Sequence, residues 1–407
     1  METLVPLLRA RELVDALRER YYFNRSCEAV RVDTSLPGRE LSKDVVAAED
    51  SPPRDIASYD GYAMRSIDAE HYPLRIVGSI YAGDAYETLP QLRRGEAMYI
   101  ATGAFLPPGA DCVLRLEDAR VEGDRLYGVP IEKGTKVVPR GSNYRRGEVI
   151  LKAKTRIRAQ EFGILCGMGI EEVEVYRRPR VAVLATGNEI ARGIIRDINS
   201  FVVLALLEKW GCETDYLGAI QDDYGTTRRA IAEAAEHYDC VVTSGGVSVG
   251  KRDYVLRAIE ELGRVVFYKV RTRPGKPIAV GVVENTPVFA LPGKPTGALV
   301  AAQLHLRRYF LGRVEEPFLY ARITEDILLS RKDTDSPDIA NLVFVHLEDG
   351  LAKPVGFEGS EMPLMKRGDK YNVSAIASNL RSALVDGYAI LERDTRRGER
   401  VKVHLFM

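Results

Sequence analysis

The sequence has no long hydrophobic run and no net charge. Its 407 residues carry 58 Lys and Arg against 58 Asp and Glu, so the formal charge at pH 7 is zero. This balance gives no overall argument for binding nucleic acid or an acidic membrane surface. No stretch approaches the ~18 apolar residues that a membrane-spanning helix requires. We therefore expect neither nucleic acid nor a membrane among the partners.

Cysteine and histidine are scarce and scattered. Five of each occur, and no two cysteines form a Cys-x-x-Cys pair. This pattern argues against a zinc site and favours reduced thiols, as in a cytoplasmic protein. The amino-terminal stretch has charges in every apolar run and no small-residue cleavage site, so no signal peptide is expected. Any metal would be bound by oxygen ligands, which favours a hard cation such as Mg²⁺.

The pattern of apolar residues changes along the chain, which predicts a multidomain protein of α/β and β segments. Residues 178–312 alternate apolar runs such as RVAVLAT with helical patterns, which predicts a three-layer α/β domain with a mostly parallel sheet. Residues 46–143 predict a β-rich domain, and residues 313–407 predict a small C-terminal β domain of barrel type. Residues 1–45 and 144–177 are expected to form an elongated connector.

Four glycine-rich loops lie next to predicted strands of the α/β segment: ATGNEI, TSGGVSV, RPGKP and LPGKP. In such sheets, ligands bind beyond the carboxyl ends of the strands. Glycine lets the backbone approach a ligand closely, and amides that open the next helix bind anions. Lys276 and Lys294 add point charges for phosphate. The loops therefore predict an anion-binding crevice, although neither GxxxxGK[ST] nor GxGxxG occurs.

A group of acidic residues accompanies these loops. Glu189, Asp222, Asp223 and Asp253 follow predicted strands of the same domain. Carboxylates beside a phosphate site can hold Mg²⁺, which usually takes one or two of them plus phosphate oxygens. Asp222 or Asp223 could equally cap the following helix, and Asp253 could interact with a helix dipole. The sequence leaves these alternatives open.

Six motifs together resemble those of a known family. In chain order they are SYDGYA, ATGAFLPPGAD, PRVAVLATGNEI, TSGGVSVGKRDY, RPGKPIAVG and LPGKPTGAL. They are similar to the motifs of the MoeA-type molybdopterin molybdotransferases, which include the C-terminal module of gephyrin. The resemblance covers essentially the whole chain. It implies a cytoplasmic enzyme that inserts molybdate, or tungstate, into adenylylated molybdopterin, with Mg²⁺-dependent release of AMP.

The resemblance also implies an assembly and a set of roles. The family forms a homodimer whose site is shared between subunits, and a molybdopterin adenylyltransferase acts upstream. Asp60, Thr102 and Glu189 match catalytic residues, and Asp253 and one of Asp222 and Asp223 match residues that bind the metal. The implied substrate-binding residues are Thr186, Gly187, Ser244, Gly245, Gly246, Ser248, Lys276, Pro292, Gly293, Lys294 and Pro295.

The chain departs from the family pattern at four positions. Asn143 and Asn188 stand where the family has aspartate, Arg273 stands for lysine, and Lys294 stands for asparagine. Losing a carboxylate removes charge that holds a hard cation or accepts a proton. These departures leave open a molybdopterin-binding scaffold with weak or no turnover. An adenylyltransferase of the MogA type is a further alternative, against which the DGYA motif and the flanking β domains argue.

Overall fold

The computed structural model describes residues 1–247, 254–329, 339–357, 360, 362–364, 371, 373–378 and 380–406. They form two compact units, one of Met1–Glu28 with Tyr176–Met407 and one of Ala29–Val175. No described helix is both long and apolar enough to cross a membrane.

The strands of the described residues, in chain order, are β1 Glu2–Val5, β2 Cys27–Arg31, β3 Val45–Val46, β4 Ile56–Ala57, β5 Gly61–Met64, β6 Leu74–Ile80, β7 Glu96–Ile100, β8 Cys112–Arg115, β9 Arg120–Glu122, β10 Arg125–Tyr127, β11 Val137–Val138, β12 Val149–Leu151, β13 Glu172–Tyr176, β14 Arg180–Thr186, β15 Glu213–Ile220, β16 Cys240–Ser244, β17 Gly263–Val270, β18 Thr272–Arg273, β19 Ala279–Val283, β20 Thr286–Leu291, β21 Phe318–Ile323, β22 Ala340–Glu348, β23 Leu351–Pro354, β24 Gly387–Leu391 and β25 Arg400–Leu405.

The α-helices of the described residues are α1 Leu7–Tyr21, α2 Ala159–Gly167, α3 Asn188–Ala191, α4 Asn199–Lys209, α5 Tyr224–His237, α6 Tyr254–Leu262, α7 Pro295–Ala301, α8 Arg307–Leu311 and α9 Val373–Ala377. A π-helical turn, Ala302–Leu306, joins α7 to α8. Short 3₁₀ turns occur at Tyr22–Asn24, Ser66–Asp68, Tyr86–Thr88, Leu116–Asp118 and Leu380–Ala383.

A seven-stranded sheet forms the centre of the first unit, in the order β1-β17-β19-β20-β16-β14-β15. Strands β15, β14, β16 and β20 are mutually parallel, whereas β19 runs antiparallel to both of its neighbours. Every residue of β16 and β20 is buried, as expected for strands covered on both faces. One core joins the sheet to α1, α4 and α8, and another joins it to α5 and α6. The predicted three-layer domain with a mostly parallel sheet is confirmed.

The first residues of the chain are part of this α/β layer. Strand β1 pairs in parallel with β17, and the apolar side of α1, with Ala10, Val14 and Leu17, is buried in the core below the sheet. Residues 1–28 therefore belong to the same unit as the α/β domain. The sequence had instead predicted that residues 1–45 form a connector together with residues 144–177. Four residues of edge strand carry too little apolar pattern to reveal this pairing from the sequence.

The carboxyl end of helix α8 is capped by a buried side chain of α1. Arg18 donates hydrogen bonds to the carbonyl oxygens of Tyr309 and Phe310, which are among the last residues of the helix. The guanidinium carbon also lies 3.8 Å from the centre of the Tyr22 ring. Because terminal carbonyls lack partners within their own helix, this arginine satisfies groups that burial would otherwise leave unpaired.

Replacing Arg18 with alanine is expected to destabilise the first unit by about 2 kcal/mol, since it orphans buried carbonyls and removes a cation–π contact. Denaturant unfolding would measure the loss. The control is Arg9→Ala on the same helix, whose ion pairs with Glu2 and Glu12 are exposed, and which should leave the unfolding midpoint unchanged. Equal midpoints for the two variants would contradict the capping role.

A closed five-stranded barrel follows the α/β layer. Strand β22 pairs with both β23 and β24, and β21 and β25 complete the ring. Strand β18 of the α/β segment adds to the barrel through β22, with Thr272 opposite Ala340. The prediction of a small C-terminal β domain of barrel type is confirmed.

The helical segment 295–311 lies between the sheet and the barrel. Val300 and Leu304 belong to the barrel core, whereas Ala298 and Phe310 belong to the core of the sheet. His305 in the π-helical turn is fully buried, and neither ring nitrogen has a hydrogen-bond partner among the described residues. Burial, with a smaller effect of two nearby arginines, lowers the pKa of His305 to about 3.

The unpartnered His305 is expected to make the protein sensitive to acid. The folded state keeps the ring neutral, whereas the unfolded chain binds a proton below its ordinary pKa of about 6.5. Stability from this residue is therefore complete above that pH and falls toward the folded pKa of about 3, by up to about 1.4 kcal/mol per pH unit. Urea unfolding between pH 7.5 and 5 measures the slope, which should be shallower in His305→Leu. An unchanged slope in that variant would contradict the prediction.

The second unit consists mainly of β-structure and contains one α-helix, α2, among its described residues. Its six-stranded sheet has the order β8-β5-β7-β6-β10-β9, in which only β6 and β7 pair in parallel among the described strands. Three two-stranded sheets also occur: β4 pairs with β11, β3 with β12 and β2 with β13. A smaller core unites residues from both ends of the unit, including Leu36, Leu41, Leu151 and Val175.

Candidate functional site

A cleft of about 1200 Å³ opens at the carboxyl edge of the seven-stranded sheet. Strands β14, β16 and β20 end here at Thr186, Ser244 and Leu291, and their following loops form the walls. The sequence-predicted residues that line it are Thr186, Gly187, Glu189, Asp222, Ser244, Gly245, Gly246, Lys276, Pro292, Gly293, Lys294 and Pro295. The predictions for Ser248 and Asp253 lie outside the described residues.

The loops touch one another through glycine. At Gly245, where φ is 89°, an added Cβ would lie 2.8 Å from the Thr186 Oγ1 atom. A Cβ on Gly246 would lie 2.7 Å from a methyl carbon of Val255, and one on Gly293 would lie 3.7 Å from the Cα of Gly245. Gly245 and Gly246 also have positive φ angles, 89° and 69°, which disfavour residues with a side chain. Both of these positions therefore require glycine. The requirement is for close contact between loops, in addition to any contact with a ligand.

Two of the loop amides are already used within the sheet. The Gly187 N–H donates to the Ile220 carbonyl over 3.2 Å, and the Gly245 N–H donates to the Leu291 carbonyl over 3.1 Å. The sequence predicted backbone amides as the anion-binding groups of these loops. At these two glycines the amides instead hold neighbouring strand ends together, so an anion must rely more on side chains.

The adjacent aspartates Asp222 and Asp223 have different environments. Asp223 caps α5, because its carboxylate accepts the Thr226 N–H at 2.7 Å, and this bond lowers the pKa of Asp223. Asp222 lines the cleft and is clasped by Asn188: each backbone N–H donates to the other residue's side chain, at 3.4 and 3.2 Å. Of the predicted metal residues, Asp222 is therefore the described one that faces the cleft.

The cleft offers a magnesium ion one suitable protein ligand, the Asp222 carboxylate. Asp222 offers a hard carboxylate oxygen beside two lysines suited to phosphate, and Mg²⁺ commonly takes one or two carboxylates plus phosphate oxygens. Among the described residues, however, no three His, Cys, Asp or Glu side chains group closely enough to hold a metal alone. A metal here would therefore need the ligand's own oxygens.

The cleft carries more positive than negative side chains. Its described lining has four cationic groups against three acidic ones: Arg196, Arg273, Lys276 and Lys294, with Glu189, Asp197 and Asp222. Partial burial lowers the pKa of the Arg273 guanidinium, which still stays charged at neutral pH. The balance favours a ligand with several negative charges.

Several lining residues were missed by sequence reasoning. Asn199 donates from Nδ2 to the Gly293 carbonyl at 2.9 Å, and Asp197 accepts the Ser200 N–H at 3.0 Å at the start of α4. The polar string RDINS before an apolar helix is typical of a capped helix and could have drawn attention to them. Tyr371 and Ser378, from beyond the α/β segment, also line the cleft, and no local signal marked them.

Two of the predicted catalytic residues lie in the second unit. Asp60 accepts hydrogen bonds from both the N–H and the hydroxyl of Thr102, at 2.7 and 2.8 Å. These bonds lower the pKa of Asp60. The fold thus joins two motifs that are 42 residues apart. Asn143 donates from Nδ2 to the Ser51 hydroxyl at 3.3 Å.

Fold and site together define a multidomain α/β protein with a cationic ligand cleft at the carboxyl edge of its sheet and a β-barrel attached. Two family models match the chain: residues 5–169 match the MoeA N-terminal region (domain I and II), and residues 182–312 match a probable molybdopterin binding domain. The two models together match parts of both units, and residues 313–407 lie outside them.

Individual relatives indicate the same family as the two family models. The molybdopterin molybdenumtransferase of Haemophilus influenzae is 34% identical over 272 residues, which are 64% of this chain and 67% of the relative. Two structures of the molybdopterin biosynthesis MoeA protein from Pyrococcus horikoshii cover 99% of this chain and at least 99% of their own. Their TM-scores are 0.72 and 0.76, at 30% and 25% identity. The chain belongs to the MoeA family of molybdopterin molybdenumtransferases.

Proposed function

We propose that this chain inserts molybdate into adenylylated molybdopterin and releases AMP in a magnesium-dependent step. The observation that carries the proposal is the cationic cleft of about 1200 Å³ at the sheet's carboxyl edge. It lies within the segment that matches the probable molybdopterin binding domain. Its size suits a pterin with a diphosphate, and its charge suits the phosphates and an oxyanion. Tungstate is an alternative oxyanion of the same shape and charge.

The described residues divide the work by their chemistry. Lys276 and Lys294 bind phosphate as point charges. Ser244, at the end of β16, begins the loop that contacts the pterin. Glu189 is the exposed carboxylate of the cleft and takes the proton of the attacking water as the phosphoanhydride breaks and AMP leaves. Asp222 would hold Mg²⁺ with the phosphate oxygens, and the bound ion would supply positive charge to the leaving group.

The activity test uses purified full-length protein with adenylylated molybdopterin, molybdate and Mg²⁺, and follows release of AMP. Glu189→Gln is expected to lower kcat about a hundredfold, since it removes a proton acceptor. The control is Glu236→Gln, an exposed residue on the outer helix α5. No AMP release by the wild type would contradict the proposed function, and full activity of Glu189→Gln would contradict the role of Glu189.

An apolar surface beside the cleft supports the proposed homodimer. The edge patch consists of five exposed side chains around the start of α4 and strand β15: Ile194, Ile195, Ile198, Phe201 and Tyr216. Phe201 is 58% exposed and stands against Tyr216, with ring centres 5.3 Å apart. Exposed apolar side chains that adjoin one another are a feature of interaction surfaces.

A second copy of the chain is the partner that fits the edge patch. Ile195 and Ile198 line both the patch and the cleft, so a molecule seated on the patch would reach the cleft. Strand β15 pairs only with β14 among the described strands, which leaves an edge that a twofold-related β15 can cover. A shared site then follows from one interface.

Phe201→Asp is expected to convert the dimer to a monomer, because it places a charge at the centre of the apolar contact. Sedimentation equilibrium measures the mass. Leu384→Asp is the matched control, since Leu384 is 72% exposed and lies outside the patch. The prediction is wrong if Phe201→Asp remains a dimer, or if the wild type is a monomer at the same concentration.

The comparisons do not favour the scaffold alternative, since the curated relatives are named as transferases. A MogA-type adenylyltransferase would have no use for the second unit, which matches the MoeA N-terminal region. The cytoplasmic location and the upstream adenylyltransferase stay predictions.

A further inference from the structure

We propose that the outer face of the barrel, on strands β21 and β25, is a docking surface for a partner protein that presents an extended acidic segment. This docking face consists of five side chains: Phe318, Tyr320, Arg322, Arg400 and Lys402. None of them lines the cleft, so the docking face is separate from the site of the proposed function.

Antiparallel pairing places the five side chains on one surface. Arg322 is the register partner of Arg400, and Tyr320 is the register partner of Lys402. Register partners project to the same side of a sheet, as do alternate residues of one strand. Ala321, which lies between Tyr320 and Arg322 in β21, is buried in the barrel core. The other face of the strand is therefore turned outward, and Tyr320 on it is 52% exposed.

Two arginines stand opposite each other on the docking face. Like charges directly opposed across two strands are unfavourable, because their Cβ atoms lie only about 5 Å apart. Arg322 donates from Nη1 to the Gly398 carbonyl at 3.1 Å, and the guanidinium carbon of Arg400 lies 4.6 Å from the centre of the Tyr320 ring. Neither arginine has an ion pair with a carboxylate among the described residues. A bound carboxylate would relieve the repulsion and accept charge-assisted hydrogen bonds from both.

The carboxylates next to the docking face are matched to other cations. Glu315 forms an ion pair with Lys402 at 2.9 Å. Glu399, the chain neighbour of Arg400, forms one with Arg393 at 2.7 Å. The docking face with Glu315 therefore has three cations against one acid, and the excess of positive charge lies at the two arginines. Clusters of arginine are a common means of recognising acidic protein motifs.

The spacing of the cations favours an extended segment. Arg400 and Lys402 are two residues apart on one strand, which separates them by about 7 Å. A peptide in the extended conformation repeats its side chains on one side at the same interval. Glutamates or aspartates at alternate positions of such a segment would therefore meet successive cations of the docking face.

The aromatic contacts favour a protein over a nucleic acid as the partner. Single-stranded nucleic acid binds by stacking its bases on aromatic rings. The Lys402 ammonium nitrogen lies 3.6 Å from the centre of the Phe318 ring, and Arg400 lies over the Tyr320 ring. The two rings also meet edge to face, with centres 5.8 Å apart. These contacts occupy ring faces that bases would need, and they place cations where carboxylates can bind.

The test measures binding of a short fluorescent peptide, in which glutamate alternates with threonine, to the full-length protein by anisotropy at low ionic strength. The wild type is expected to bind this peptide and not its glutamine counterpart. Arg400→Gln should weaken binding about fivefold, and the double variant Arg322→Gln with Arg400→Gln about twentyfold, as for exposed charge pairs. AMP release should be unchanged in the double variant, since neither arginine lines the cleft.

The matched control is the double variant Arg393→Gln with Arg396→Gln. These two arginines follow the same barrel strands but pair with Glu399 and Asp326, so their loss removes the same charge away from the docking face. The control should change peptide binding less than twofold.

Three results would overturn the docking proposal. They are no binding of the glutamate peptide by the wild type, an equal loss of binding in the two double variants, and tighter binding of a thymidine oligonucleotide than of the peptide. The last result would assign the docking face to nucleic acid. Loss of AMP release in the wild type would bear on the proposed function alone, since the peptide assay does not depend on catalysis.

Discussion

The close contact of loops at the carboxyl edge of the sheet is the constraint on which the site depends. Parallel strands that end together deliver their loops to one place, and these loops approach until Gly245 leaves no room for a Cβ beside Thr186. The N–H of Gly245 then fixes the end of the neighbouring strand through the Leu291 carbonyl. Each loop is therefore positioned by the next, and cationic side chains on them converge without a dedicated phosphate-binding motif.

The helical segment 295–311 extends this constraint through the first unit. It begins at Pro295 in the cleft, contributes Val300 to the barrel core, and ends against the buried Arg18 of α1. One continuous element thus connects the LPGKP loop, the barrel and the amino-terminal helix. His305 of this segment is fully buried, and within the described part of the chain its ring nitrogens have no hydrogen-bond partner, so burial keeps the ring neutral.

Much of the α/β domain could be predicted from the sequence, because strands buried on both faces read as continuous apolar runs such as RVAVLAT. Which aspartate caps a helix and which faces the cleft could not, since Asp222 and Asp223 differ only in the direction that the backbone gives them. The amides of Gly187 and Gly245 were predicted to bind a ligand, but they serve the sheet. The place of Tyr371 in the cleft depends on a contact distant in sequence, which no local pattern encodes.

The Asp60–Thr102 pair bears on how a shared site would work. Two hydrogen bonds from Thr102 stabilise the ionised carboxylate of Asp60, which is why its pKa is lowered. Such a group accepts hydrogen bonds and attracts cations at neutral pH, but it holds no proton to donate. In the proposed mechanism Asp60 would therefore act as an ionised hydrogen-bond acceptor, and an acid for the leaving group would have to come from water or from another side chain.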